Sequence, residues 1–260
     1  MAGTTHSYTE EEIIEFILCR EDPIYFIDTY VKIEHPTFGM QDFSLYPYQI
    51  GAVQTYEDHK NVIQLSSRQM GNDALSAAYL LWYAIFHHDR TIVAISAKND
   101  DSKEYMQRIR FMYEQLPAFL QVSVIENNKN CMRFDNGCRI MSRNCNPNSC
   151  RGMGISLLLL RDFGWIKHQT QTEFLECVMP VVASVGTQLI VTSTGYNPSD
   201  SVFNKMFTDA HNEDSSWKPL KIHYRERPGI NSKWVEETKA QMGDDHFDLE
   251  FELKGSYVTT

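Results

Sequence analysis

The sequence has no long apolar run, no basic leader, no closely paired cysteines and no excess of positive charge. The longest apolar stretch, Ala77 to Phe86, is too short to cross a bilayer, which takes roughly 18 or more such residues. Glu10, Glu11 and Glu12 stand where an export signal would place a basic patch and an apolar segment, so a soluble, non-exported chain with no membrane partner is expected. Cys131, Cys138, Cys145 and Cys150 cluster, but no CxxC pair occurs and no histidine lies among them. Zinc ligands usually come in tighter pairs, so reduced thiols in a reducing compartment are the simpler reading. Lys and Arg number 24 against 34 Asp and Glu, a formal charge of -10. A protein that coats nucleic acid by charge alone should be basic, so that class is disfavoured. No internal repeat, low-complexity tract or domain linker is visible.

What is present is an ordinary globular mix, 42% apolar and 22% charged over 260 residues, long enough to bury a large core. The charge is unevenly placed. Lys129, Arg133, Arg139, Arg143, Arg151 and Arg161 face Asp135 alone between positions 129 and 161. Such a strip is either one localised anion-facing surface or a solvated hairpin face, and charge alone does not separate the two.

Periodicity gives an element order. Thr9 with Glu12 forms a capping box before a helix carrying Ile13, Phe16 and Ile17. Asp22-Pro23 opens a second helix to about Val31; Pro36 and Gly39 mark a loop; Pro47 opens a third helix. Strands are then expected at 62–65, 91–95, 122–126, 132–134, 139–141, 156–160, 188–192 and 220–224. Helices are expected at 74–88, 100–116, 172–184, 201–210, 232–242 and 246–254. Asp135-Asn136-Gly137 is a hairpin signal. Alternating strands and helices predict an α/β fold with a mostly parallel central sheet flanked by helices, preceded by an N-terminal helical segment.

Open α/β sheets bind ligands at the carboxyl ends of their strands, and three ends carry candidate chemistry. Leu65 leads into Ser66-Ser67-Arg68-Gln69-Met70-Gly71-Asn72-Asp73 and a helix, the frame of a phosphate cradle. The expected ending is Gly-Lys-Ser/Thr; Gly71 is in register, but Asn72 stands for Lys and Asp73 for the Mg-binding hydroxyl. Leu157 to Leu160 ends in Arg161-Asp162, where two acids would hold Mg and polarise water. Leu189 to Thr192 ends in Ser193-Thr194-Gly195, which suits a sensor of the γ-phosphate or a capped turn.

Together these segments resemble the ATPase domain of the large terminase, the DNA-packaging motor of tailed bacteriophages. Phe43 to Gln49 is similar to the family's adenine-binding segment, with Gln49 reading the base. Ser67-Arg68-Gln69-Met70-Gly71 is similar to its variant Walker A, and Ser193-Thr194 to its coupling motif. Arg151-Gly152 is similar in position to an arginine that reaches a neighbouring subunit. Trp234 to Glu237 and Phe247 to Tyr257 resemble the link toward a nuclease domain. The resemblance implies a P-loop NTPase of ASCE type, with a strand inserted between the Walker A and Walker B strands. The strand at 91–95 and the hairpin leave room for it.

The resemblance further implies one ATPase-like domain over 1–260. N-terminal helices and the adenine segment would occupy 1–60, the P-loop core 61–200, and a lid or linker 201–260, the nuclease domain lying beyond. It implies ATP and Mg²⁺, with Asp162 and Asp73 as the carboxylates at hand for the metal. Its partners would be double-stranded DNA, the capsid portal, the small terminase subunit and like subunits in a ring, in the cytoplasm of an infected bacterium. Ser66, Ser67, Gln69, Met70, Gly71, Asn72 and Asp73 would line the phosphates, with Asp162, Arg68 and Arg151 catalytic.

The departures reverse the site's charges at matched places: the loop loses a cation and gains Asp73, and the strand end loses an anion and gains Arg161. Asp73 would repel phosphate and Arg161 would repel Mg²⁺, unless the two pair with each other. Strongly reduced ATP hydrolysis is therefore expected. In the bland alternatives Arg68 is a salt bridge, Asp162 a cap, Arg151 a surface side chain and Gln49 a helix-start residue satisfied by backbone. The competing functions are an inactive terminase-like assembly or binding domain, and another ASCE ATPase such as a helicase core.

Overall fold

Thr9 opens the first described helix as its sequence requires. Its hydroxyl accepts from Glu12 N at 3.1 Å, and the Glu12 carboxylate accepts from Thr9 N at 2.9 Å. The computed structural model describes residues 8–195 and 201–254; Tyr196, Asn197 and Tyr257 lie outside them. Helices α1 (Glu10–Glu21) and α2 (Pro23–Tyr30) lead to a hairpin of β1 (Lys32–His35) and β2 (Gly39–Asp42), then α3 (Pro47–Asp58). Pro36 and Gly39 predict only a loop in this stretch. The hairpin gives no sequence signal because β2 is exposed at every position and carries no apolar alternation.

The chain then alternates: β3 (Asn61–Ser66), α4 (Asn72–Phe86), β4 (Thr91–Ser96), α5 (Asn99–Glu114), β5 (Val124–Asn128), β6 (Cys131–Phe134) and β7 (Arg139–Asn144). It continues through β8 (Leu157–Leu160), α6 (His168–Val185), β9 (Gln188–Thr194), α7 (Val202–Asp209), β10 (Lys218–Ile222), α8 (Ser232–Met242) and α9 (Asp244–Glu250). α9 stops short of the expected end at 254 because Leu253 turns left-handed at φ 59° and Lys254 N donates back to Asp248 O.

One sheet has the order β10-β3-β9-β8-β4-β7-β6-β5, parallel from β10 to β7 and antiparallel from β7 to β5. The strand between β3 and β8 is β9. The strand at 91–95 and the hairpin are the sequence's candidates for that place, but β4 lies on the far side of β8. Strand order is set by packing of whole crossovers, which local periodicity does not report.

Two apolar layers hold the sheet. Phe26, Tyr56, Leu80 and Tyr105 pack with α1–α5 on one face; Ile63, Leu65, Phe163, Phe174 and Phe203 pack with α6 and α7 on the other. β8 is buried at all four positions, as a central parallel strand should be. β3, β4, β8 and β9 run parallel, so their carboxyl ends meet at one rim.

Candidate functional site

The loop after β3 is bolted down before it turns. Ser67 N donates to Ile222 O and Arg68 N to Glu250 O, both at 2.9 Å. The Ser67 hydroxyl donates to Phe251 O at 2.6 Å and accepts from Tyr224 N at 2.9 Å. Gln69 and Gly71 then take left-handed backbone, φ 63° and 78°. The left-handed φ is what calls for glycine at 71; a Cβ there would also press on the end of the Gln49 side chain, Nε2 at 2.8 Å, which would have to shift. Gly71 caps α4, whose first amides have no intrahelical acceptor and sit where an anion would be held.

The loop borders a cleft of about 600 Å³ lined by Arg68, Gly71, Asp73, Lys98, Asp162 and Thr194, among others. A more enclosed recess of about 260 Å³ shares Asp73, Asp101 and Asp162 with it and adds Glu104, Arg108 and Arg161. At its wall Arg161 grips Asp73 with two parallel bonds, Nε to Oδ1 at 3.0 Å and Nη2 to Oδ2 at 2.7 Å. Arg161 Nη1 donates to Ser96 Oγ at 2.7 Å, and the guanidinium carbon lies 3.9 Å from the Tyr105 ring centroid. Burial alone would push the guanidinium down; the Asp73 carboxylate first, with Tyr105 and Asp162, more than offsets this and leaves Arg161 above its ordinary value.

Asp162 follows at φ 47°, a strained left-handed position for a non-glycine residue. Its carbonyl accepts from Trp165 N at 2.9 Å, and its carboxylate makes no capping bond. Burial, reinforced by the neighbouring Asp73 carboxylate, raises its pKa to about 6. Across the cleft mouth Trp165 Nε1 donates to Thr194 Oγ1 at 2.8 Å, and Gly164 N donates to Ser193 Oγ at 3.2 Å. The end of β9 is thereby tied to the segment after β8.

The remaining predicted residues divide. Gln49 is buried beneath the loop, with Oε1 accepting from Tyr46 N at 3.0 Å and Nε2 donating to Met70 O at 3.3 Å. Ser66 is buried and accepts from Gln64 at 2.9 Å; Met70 is buried; Asn72 Oδ1 accepts from Gln64 at 3.0 Å. Arg68 is half exposed and pairs with Glu250 at 3.3 Å. Arg151 is exposed on the loop between β7 and β8 and is not among the cleft's lining residues. Sequence reasoning misses Ser96 and Tyr105 as site residues. Tyr105 fits an apolar position of its helix. From sequence Trp165 fits either the pocket wall or, as the simpler reading, core packing; it is 38% exposed and lines the cleft.

The basic strip separates as well. Arg161 is buried in its ion pair, and Arg143 holds the β7–β8 loop by donating to Ser149 O at 2.9 Å. Arg133 and Arg139 face each other across β6 and β7, and neither they nor Lys129 make an ion pair among the described residues. All six cysteines are free thiols, and no group of three His, Cys, Asp or Glu among the described residues is placed to hold a metal ion. No described helix is long and apolar enough to cross a membrane.

Comparison with known proteins matches residues 63–257 to the family described as terminase large subunit, T4-like-virus type, N-terminal. Among solved structures, a mutant large terminase ATPase domain of Thermus phage P74-26 is 11% identical. It covers 81% of this chain and 94% of its own, with a TM-score of 0.68. The HK97 bacteriophage large terminase is 16% identical over 92% of this chain and 49% of its own, at TM-score 0.65. The large terminase of another thermophilic bacteriophage, solved with ATP-γ-S, is 10% identical over 81% of this chain and 52% of its own, at 0.63. The present chain thus spans about half the length of the HK97 protein and of the terminase solved with ATP-γ-S. At these identities the structural likeness carries the fold.

Proposed function

The chain belongs to the T4-like-virus-type large terminase family, matching its N-terminal part, and from that premise we propose a nucleotide-binding module of a viral DNA-packaging motor whose hydrolysis is strongly impaired. The observation that carries this reading is the two-bond Arg161–Asp73 pair. Asp73 falls where an ATPase of this family needs a neutral hydroxyl beside its phosphate-binding lysine, and Arg161 where it needs an acid. Each satisfies the other, and neither is left for phosphate or metal.

The loop fits phosphate. It has a left-handed glycine, free amides at the start of α4 and an adjoining cleft. Mg²⁺ does not fit the groups present. Both Asp73 oxygens are held by a guanidinium, and the carboxylates left are Asp162, with a raised pKa, and Asp101 and Glu104 of the recess, which the Arg161 and Arg108 guanidiniums share. The hard dication wants several oxygen ligands and no adjacent cation. The cation missing at Asn72 matters too. A unit charge at about 4 Å from a phosphate is worth about 4 kcal/mol at an effective dielectric near 20. Binding should therefore be weak and insensitive to Mg²⁺.

Double-stranded DNA, the portal, the small terminase subunit and like subunits in a ring are the partners this family reading brings. Within the chain, Ser67 and Arg68 join the loop to α9, and Trp165 joins the end of β8 to Thr194. Those links would carry loop movement to the lid and to the coupling strand. Of the basic strip, Lys129, Arg133, Arg139 and Arg151 are the cations left for a DNA backbone. Calorimetric titration with ATP, in Mg²⁺ and in EDTA, tests the site. Equal, weak affinities support the proposal. A tenfold or greater gain with Mg²⁺ contradicts it, and no binding in either favours a purely assembling domain.

A further inference from the structure

Gln64 is a polar residue in the middle of buried β3, fully buried, and every hydrogen-bonding atom of its amide is committed. Its Oε1 accepts from the Tyr56 hydroxyl. Its two N–H groups go to Ser66 Oγ at 2.9 Å and Asn72 Oδ1 at 3.0 Å. The reversed amide would turn both N–H groups toward the Tyr56 hydroxyl oxygen, which cannot serve both, and a buried N–H would be orphaned. The amide orientation is therefore fixed from beneath the loop.

That orientation dictates the next one. With Oδ1 turned to Gln64, the Nδ2 of Asn72 is the amide end not held by β3, and Asn72 lines the cleft at the first residue of α4. Among the described residues Nδ2 has no acceptor. A lysine here would offer Gln64 only donors, so Gln64 suits a residue at 72 that carries both an acceptor and a donor.

We propose that Asn72 Nδ2 is an uncharged phosphate donor of this loop, and that Gln64, held by Tyr56, is the positioning residue that aims it. The proposal rests on the nucleotide reading above and specifies its ligand: the polyphosphate of a nucleotide bound without metal. An amide donor gains a directional bond to a phosphate oxygen and brings no charge of its own.

The test is calorimetric titration of the full chain with ATP in EDTA. Asn72→Ala and Gln64→Leu should each raise Kd about 3- to 10-fold, the range of one neutral hydrogen bond. Tyr56→Phe, which frees the Gln64 amide to turn while keeping the ring, should raise it by a smaller factor. It also decides the matter if Gln64→Leu does not fold by circular dichroism. The combined Asn72→Ala/Gln64→Leu variant should bind no more weakly than Asn72→Ala alone, which a purely structural role for Gln64 would not produce. Unchanged affinity in folded Gln64→Leu, or in Tyr56→Phe if that is the variant that folds, overturns the inference while the nucleotide reading stands; so do additive losses in the double variant. No ATP binding by the unaltered chain overturns both.

Discussion

Breaking the Arg161–Asp73 pair from its two ends should have unequal costs. The Arg161 side chain is 8% exposed and the Asp73 side chain 45%. Removing one partner of a fully buried pair costs about 3–5 kcal/mol, because a charge is left without a counter-ion. Asp73→Ala strands the buried guanidinium on Ser96 and the Tyr105 ring. Water at the Asp73 end softens the loss, and about 2–3 kcal/mol is expected. Arg161→Met strands a carboxylate that water already reaches. Its main loss is the stacking on Tyr105, about 1 kcal/mol. With both substitutions no charge is stranded, and the total should return to about 1 kcal/mol, a coupling of about 2–3 kcal/mol. Urea denaturation of the four proteins, with unchanged m-values, measures the cycle. Additive losses, or an Asp73→Ala cost below about 0.5 kcal/mol, would refute the reasoning.

Asp162 should make stability depend on pH. Its folded pKa, about 6, lies above the ordinary 3.8, so the folded state holds the proton more tightly. Its contribution is therefore unpenalised below about 4, falls as pH rises through that window and stays low above it. Asp162→Asn, whose side chain tolerates left-handed backbone, should stabilise by about 1–2 kcal/mol at pH 7 and by little at pH 4. Equal gains at both pH values in urea titrations would rule out titration of Asp162 as the cause. For DNA, combined Arg133→Ala and Arg139→Ala should shallow the slope of log K against log salt by about 2, near 0.9 per lost phosphate contact. An unchanged slope in a fluorescence anisotropy titration would remove this sheet face from the DNA path.

Much of the fold was legible because its signals are local. The apolar run at 157–160, the Asp135-Asn136-Gly137 turn between β6 and β7, and the Thr9 capping box each fix their element without help from elsewhere. The β1–β2 hairpin was not legible, since its strands are mostly exposed and Pro36 signals a loop. Nor was the place of β9 between β3 and β8. In the site, the opposite-sign replacements at Asp73 and Arg161 pointed to each other from sequence alone. What completes their pairing did not. Ser96 ends a strand that read as plain core, and Tyr105 counts among the apolar positions of α5. Gln64 left one faint signal, a polar residue inside an apolar strand, and its partners Tyr56 and Asn72 are set by tertiary packing.

The central claim is that the reversed charges silence hydrolysis, and steady-state phosphate release from Mg-ATP tests it most directly. The chain as it stands should show no turnover above background. A variant carrying Asn72→Lys, Asp73→Thr, Arg161→Asp and Asp162→Glu should turn over under the same conditions. Turnover of the unaltered chain at about 1 s⁻¹ or faster, the range of slower phosphoryl-transfer enzymes, would contradict the account.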